Sequence, residues 1–494
     1  MQFVNELNTD QFIALLDQLR LQTAELEPDN RRLSLSLAAI AQRAKSDSSD
    51  DQDAMEVAQI SHIYQQLGPP NTTRYHLLNF LARKATSVSL KMLSKLLIDD
   101  PPHGVGPNSA AILPLFQLTE PNQLAAIFPD ILDAISNPEL AASILDLANF
   151  LTRRERIAPH PAVDRVDELN QLAEAIAAML DTFQTSQPTS AEDLRLRQEK
   201  VANGIPLAVS LCDALAFIGD ERSIPVLERL LELKHRRLRV EAAAALIRLD
   251  QEPATQVLCD MAAEPSVRSR VIAYAEELEI MDSIDPEFRT PVAIAEADLI
   301  TFLSDPTNMG LPPANCELMD ASLLSWPGYE EPRNCYLFRY SYDIVDANGQ
   351  PATFSNVGIA GPLAHTFHAD LSQLPTADIY AAFAGWQAEH EEINEQPLQH
   401  RTMQPQVVQD FVERLEKEDY DEIQPLVLGN FFQDQVLVTL AKRESTAGTV
   451  IVDQARSSWF PQSSSDRGIG PAEAYAIYKG RRLLRSFNDD LWDE

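Results

Sequence analysis

Between residues 207 and 281 the chain repeats itself. Ala214-Leu215-Ala216-Phe217-Ile218-Gly219 returns 31 positions later as Ala245-Leu246-Ile247-Arg248-Leu249-Asp250. At the same offset Val226-Leu227 meets Val257-Leu258, Leu230 meets Met261, Arg239-Val240 meets Arg270-Val271 and Ala242 meets Ala273. A fixed period of this size marks stacked supersecondary units. Each copy reads as two helices joined by a short turn. Neither copy buries its apolar stripe alone, so neighbours must stack, and the stack leaves helix faces free for binding. The pattern names an architecture and no reaction.

The residues that carry the repeat also carry a resemblance. The run Leu238-Arg239-Val240-Glu241-Ala242-Ala243-Ala244-Ala245-Leu246, with Gly219-Asp220 and Asp250 in the turns, resembles HEAT repeats. More narrowly, it is similar to the short repeats of the phycobilisome bilin lyase type. In that family a Val-Arg pair opens the second helix, alanines let helices approach, and a Gly-Asp turn leads onward. The first copy here has Arg239-Val240, and Val267-Arg268 restores the usual order nearby. The resemblance implies a HEAT-like solenoid, whose members serve many unrelated functions. It also brings in a bilin lyase or isomerase that handles tetrapyrroles, an activity that nothing else in the chain suggests.

Composition narrows the partners. A net charge of −34 over 494 residues repels nucleic-acid phosphates and anionic lipid, so neither is an expected partner. The acidic surface suits a basic partner, and its few basic runs suit a partner with an acidic docking segment. The four cysteines, Cys212, Cys259, Cys316 and Cys335, include no CxxC pair, and the first two fall on apolar helix faces. The first residues lack a basic, apolar leader, and no apolar run approaches the ~18 residues of a membrane span, so the cytoplasm is the expected location.

Helical spacing runs through most of the first 285 residues, strongest over 124–135, 140–152 and 166–183. Acidic or breaker-rich stretches at 46–53 and 99–107 read as loops, and Ser190 is placed to cap a helix. After Pro286 the period changes. Tyr336, Phe338, Tyr340 and Tyr342 alternate along a strand, residues 346–349 offer turn chemistry, and 353–360 reads as the return strand. Residues 376–392 and 471–487 read as helices, 436–440 and 449–452 as strands, 462–465 as a polar loop and 488–494 as an acidic end. The expected fold class is mainly α: an irregular α-solenoid with HEAT-like repeats, then a smaller α+β C-terminal region. The divisions are 1–183 irregular helical repeats, 184–285 HEAT-like repeats, 290–400 a small α+β module and 401–494 a mixed segment.

Sites are sparse. Lys234-His235-Arg236-Arg237 is the densest basic run, and Arg236, Arg237 and Arg239 are the candidate contacts for a partner; as plain surface, the same charges would favour the end of the adjoining helix. Arg153-Arg154-Glu155-Arg156 and Arg481-Arg482 are read in the same way. Trp326 and Tyr329 read as part of a loop, where they either anchor a partner or pack internally. His365 and His368 share a face only on a helix, and His390 would have to fold back to complete a metal set for a metal-dependent hydrolase. No metal and no cofactor is expected. The sequence contains no GxSxG, phosphate-binding lysine loop or GxGxxG after a strand. The expected function is therefore a non-catalytic scaffold for protein–protein interaction.

Overall fold

The computed structural model describes residues 4, 7–23, 31–43, 49–69, 71–345, 349–398, 405–462 and 467–488. It divides into two compact units: Met1–Met261 with Tyr274–Ser283, and Ala262–Ala273 with Ile284–Glu494.

The first unit is helical. Its helices are α1 (Thr9–Thr23), α2 (Arg31–Gln42), α3 (Asp50–Leu67), α4 (Tyr75–Lys84), α5 (Ser87–Asp99), α6 (Val105–Ile112), α7 (Pro121–Ile127), α8 (Pro138–Arg153), α9 (Val166–Thr185), α10 (Ala191–Ile218), α11 (Ile224–Glu232), α12 (Arg236–Arg248) and α13 (Pro253–Asp260). The division between the units runs through α14 (Pro265–Glu277). A continuous apolar core reaches from Phe12 on α1 to Ala254 on α13, so successive helices bury one another's stripes, as the repeat requires. Ser190 caps α10 as expected, accepting from the Asp193 amide at 3.0 Å.

Three local expectations are corrected. The acidic stretch at 46–53 reads as a loop, yet α3 begins at Asp50, and Asp53 is buried with Glu56 around Lys84, whose Nζ lies 3.1 and 2.6 Å from the two carboxylates. Charges that suggest a surface are here a buried ion triad. The breaker run at 99–107 ends early, because Gly106 and Pro107 fit the first turn of α6. The helix expected over 124–135 breaks after Ile127 at Pro129 and resumes as a 3-10 helix over Asp130–Ser136. The expectation that no apolar run approaches a membrane span is also corrected: α10 is long and apolar enough to cross a membrane by length and composition, but 61% of that stretch is buried inside the unit, as suits a core helix.

The second unit holds α15 (Pro291–Ser304), β1 (Asn315–Leu324), β2 (Arg333–Val345), β3 (Pro351–Ala360), β4 (His365–Thr366), α16 (Thr376–Gln387), β5 (Ile393–Pro397), α17 (Gln406–Lys417), β6 (Asp421–Phe431), β7 (Asp434–Arg443), β8 (Thr446–Val452), β9 (Ser457–Pro461) and α18 (Pro471–Phe487). Two antiparallel sheets run β1-β2-β3-β4 and β5-β6-β7-β8-β9. The alternating Tyr336, Phe338, Tyr340 and Tyr342 lie on one face of the first sheet against Leu299 and Leu303 of α15. Val408, Phe411 and Leu415 of α17 cover one face of the second sheet. The opposite faces of both sheets share a single core with α16 and α18, so one core passes across residue 400. Strand β6 hides from period-two reading because Pro425 and two bulges interrupt its register. The helix expected over 376–392 ends at Gln387. The expected turn at 346–349, loop at 462–465 and acidic end fall largely outside the described residues.

This unit is a duplication that the sequence reading missed. Helix, antiparallel strands and helix occur twice, as α15-β1-β2-β3-β4-α16 and α17-β6-β7-β8-β9-α18. The closing helices align at an offset of 95: Ala377, Tyr380, Ala381, Phe383 and Gly385 correspond to Ala472, Tyr475, Ala476, Tyr478 and Gly480. They pack reciprocally. A Cβ at Gly385 would overlap the carbonyl oxygen of Ala476, and a Cβ at Gly480 that of Ala381. The same patch thus meets itself across a pseudo-two-fold axis, as in an isologous dimer.

Gly385→Ala and Gly480→Ala should therefore each destabilise this unit by about 1–3 kcal/mol through overpacking. All four tryptophans lie after residue 325, so denaturant titration followed by their fluorescence reports this unit. Gly106→Ala, with nothing within 4 Å, should leave that transition in place.

Candidate interaction surface

The repeat offset is visible in the backbone. Gly219 closes α10 with φ of +75°, and Asp250, 31 residues on, closes α12 with φ of +59°. Glycine adopts this left-handed region freely, and aspartate is among the few other residues that visit it. Asp220 then receives the Arg222 amide at 2.9 Å, and α11 follows. His235 caps α12, its Nδ1 accepting from the Leu238 amide at 3.4 Å. The alanines at 242–245 are all buried, and their small side chains let α12 lie close against α10 and α11.

A closed ring of charge ties these helices together. Arg153, at the end of α8, donates two bonds of 2.7 Å to Asp213 on α10. Arg248, at the end of α12, reaches Asp213 at 3.1 Å and Glu277 of α14 at 2.6 Å. Arg153 also bonds Glu277, which closes the circuit. Both guanidinium groups stand over Phe217, at 5.1 and 5.3 Å from its centroid. Burial opposes the charge of Arg153, but Asp213 and Glu277 outweigh it and raise its pKa further. The sequence reading missed this ring. Its signal was Asp213, a lone carboxylate in the apolar run from Ile205 to Ile218, which must find a cation when buried.

A neutral chain runs beside the ring. The Ala162 amide donates to His160 Nδ1 at 3.2 Å, so Nε2 carries the proton and donates to Asn149 Oδ1 at 3.0 Å. Asn149 in turn donates to the Ser210 carbonyl at 2.9 Å. His160 is 2% exposed, and burial pushes its pKa down to about 4.

The candidate contacts fare differently. Arg236 and Arg237 are exposed in the first turn of α12, and Arg239 is half-buried. Arg237 Nε lies 3.8 Å from the buried carboxylate of Glu241, which also receives the Tyr274 hydroxyl. The expectation that these charges favour a helix C-terminus is corrected: Arg236 and Arg237 sit at an N-terminus, where the helix dipole disfavours cations. Trp326 is 2% exposed and its Nε1 donates to Gln387 at 2.6 Å, so it is an internal plug rather than an anchor. Tyr329 is partly exposed, but its hydroxyl donates to the Pro362 carbonyl at 2.7 Å and Arg333 covers its ring. His365 stacks on Trp386 with centroids 3.8 Å apart, and burial pushes its pKa down to about 4. His368 is exposed, and exposed His390 lies past the end of α16 against Phe432. Among the described residues, no group of three or more His, Cys, Asp or Glu is placed to hold a metal ion.

The family profile for HEAT repeats matches residues 207–279, the stretch that spans the end of α10 through α14. Those residues are thus similar to HEAT repeats. No curated protein and no solved structure matches it.

Asp213→Ala should destabilise the helical unit by about 2 kcal/mol or more, since it removes the more buried of the two carboxylates that Arg153 and Arg248 share. Glu277→Ala, at a position 37% exposed, should cost under about 1 kcal/mol. Denaturation followed by far-ultraviolet circular dichroism gives both values. The lowered pKa of His160 sets a pH dependence. Between pH 6.5 and about 4 the unfolded chain binds a proton that the folded histidine refuses, so stability present above that window falls as pH drops through it. His160→Gln should flatten this slope, and an unchanged slope would contradict the assignment.

Proposed function

We propose that this chain is a non-catalytic scaffold for protein–protein interaction, with contact centred on Arg236, Arg237 and Arg239 at the start of α12. HEAT repeats commonly serve in this way. The observation that carries the reading is electrostatic. Cations in the first turn of a helix oppose its dipole, each by roughly 0.3–1 kcal/mol. This chain has 74 acidic residues against 40 basic ones, so a carboxylate at those positions would have been the ordinary choice. Three arginines gathered at the start of one helix of an acidic chain suit a contact outside that helix, and the chemistry they match is an acidic segment of a protein or peptide partner. The overall charge argues against nucleic acid and anionic membrane. The reading sets the protein in the cytoplasm, and its four free cysteines, three of them buried, suit a reducing compartment.

The likeness to bilin lyases rests on the repeats alone. An absorption spectrum of added bilin that does not change in the presence of the protein would remove it.

Arg236→Glu is the deciding variant. It should leave the melting temperature near that of the wild type while reducing capture of the native partner in affinity purification. Capture equal to wild type would reduce the patch to ordinary surface. Arg237→Ala belongs in a separate measurement, because its loss also uncovers Glu241.

A further inference from the structure

We propose that a cleft in the duplicated unit binds a phosphomonoester group. The cleft has a volume of about 680 Å³ and is lined by Asp378, Asp453, Arg456, Arg481, Arg482 and Arg485, with Ala455 and Ser486. Four arginines face two aspartates on a chain whose net charge is −34.

Two of the arginines are already matched. Arg481 grips Asp378 with two bonds of 2.6 and 2.8 Å. Arg482 bonds Asp434 and donates to the Tyr478 hydroxyl at 2.8 Å. Asp453 is also committed: it accepts the Ala455 and Arg456 amides at 2.8 Å and the Tyr478 hydroxyl at 2.6 Å. These bonds fix the turn between β8 and β9 and set Arg456 on the wall of the cleft. Arg456 and Arg485 are exposed, and neither side chain has a hydrogen bond or ion pair among the described residues.

The duplication shows that the fold does not require these arginines. At the offset of 95, Arg481, Arg482 and Arg485 correspond to Trp386, Gln387 and His390, and the turn between β3 and β4, residues 361–364, likewise holds no arginine. The first half closes the same helix with no guanidinium. Neutralising a helix C-terminus therefore does not account for the cluster, and Arg456 is not on a helix at all.

The chemistry selects the ligand. Two unmatched guanidinium forks fit the charge of about −1.5 to −2 on a phosphomonoester, which a single carboxylate does not supply. The volume exceeds what phosphate alone needs and falls in the range of organic-ligand sites. Ala455 is the one apolar lining residue, so the remainder of the ligand is polar or lies in solvent. A sugar phosphate and a phosphorylated side chain share this chemistry. The proposal is independent of the scaffold reading.

Calorimetric titration of the full chain tests it with a sugar monophosphate, a phosphoserine peptide, the unphosphorylated and glutamate forms of that peptide, and inorganic phosphate. At least one ester should bind one-to-one, about tenfold or more tighter than inorganic phosphate and the two control peptides. Binding by the sugar phosphate alone assigns a small molecule, and binding by the phosphopeptide alone assigns a modified partner; both support the site. Arg456→Ala and Arg485→Ala should each weaken binding about tenfold or more, and Arg485→Lys should recover part of it, because lysine keeps the charge without the fork. Unchanged tryptophan fluorescence would show the variants folded. Independently, the tighter ester should slow amide exchange at 453–457 and 484–488 in the wild-type chain. No binding by either ester, no preference over inorganic phosphate, equal affinity in the variants, or slowed exchange only elsewhere would overturn the proposal.

Discussion

Both units rest on one constraint: an apolar face that the element bearing it cannot cover, and that a further copy of the same element can. In the helical unit the copy is 31 residues long, and its coverage comes from buried alanines at 242–245 that let α12 lie close to its neighbours. In the second unit the copy is offset by 95 residues, and its coverage comes from Gly385 and Gly480, each fitted to the opposing helix backbone. Small residues do the same job in both. They remove the side chain that would hold two helices apart, and dispersion and burial follow from the closer approach.

Charge is placed differently in different parts of the chain. The ring of Arg153, Asp213, Arg248 and Glu277 satisfies every member and joins four helices over a shared aromatic ring. Helix α12 shows the contrast along its own length. Arg248 stands at the C-terminal end, where the dipole favours it and two carboxylates receive it. Arg236 and Arg237 stand at the other end, where the dipole does not. In the second unit Arg481 and Arg482 are matched, while the side chains of Arg456 and Arg485 have no hydrogen bond or ion pair among the described residues.

Much of the helical fold was legible because its period is short and its apolar positions are regular. The helix start at Ser190 followed capping chemistry. What stayed hidden was tertiary. Asp53 sits in an acidic run typical of a loop, and only the fold brings Lys84 to it. Trp326 in a Pro-Gly loop looks exposed until Gln387, 61 positions away, supplies its acceptor. The duplication escaped because its strands diverged and its signature is confined to one face of two helices. The arginine cleft escaped for a related reason: Arg456 comes from a turn and the other three from a helix, so no window of sequence contains them together.

If a partner docks on this protein at the start of α12, residues there must lie within reach of it. A photo-crosslinking residue placed at position 236 or 239 in the native cell tests it without knowing the partner. Docking there should give a discrete adduct from both positions and none from a residue in the exposed first turn of α10. No adduct at 236 and 239, or the same adducts from every position, would contradict it.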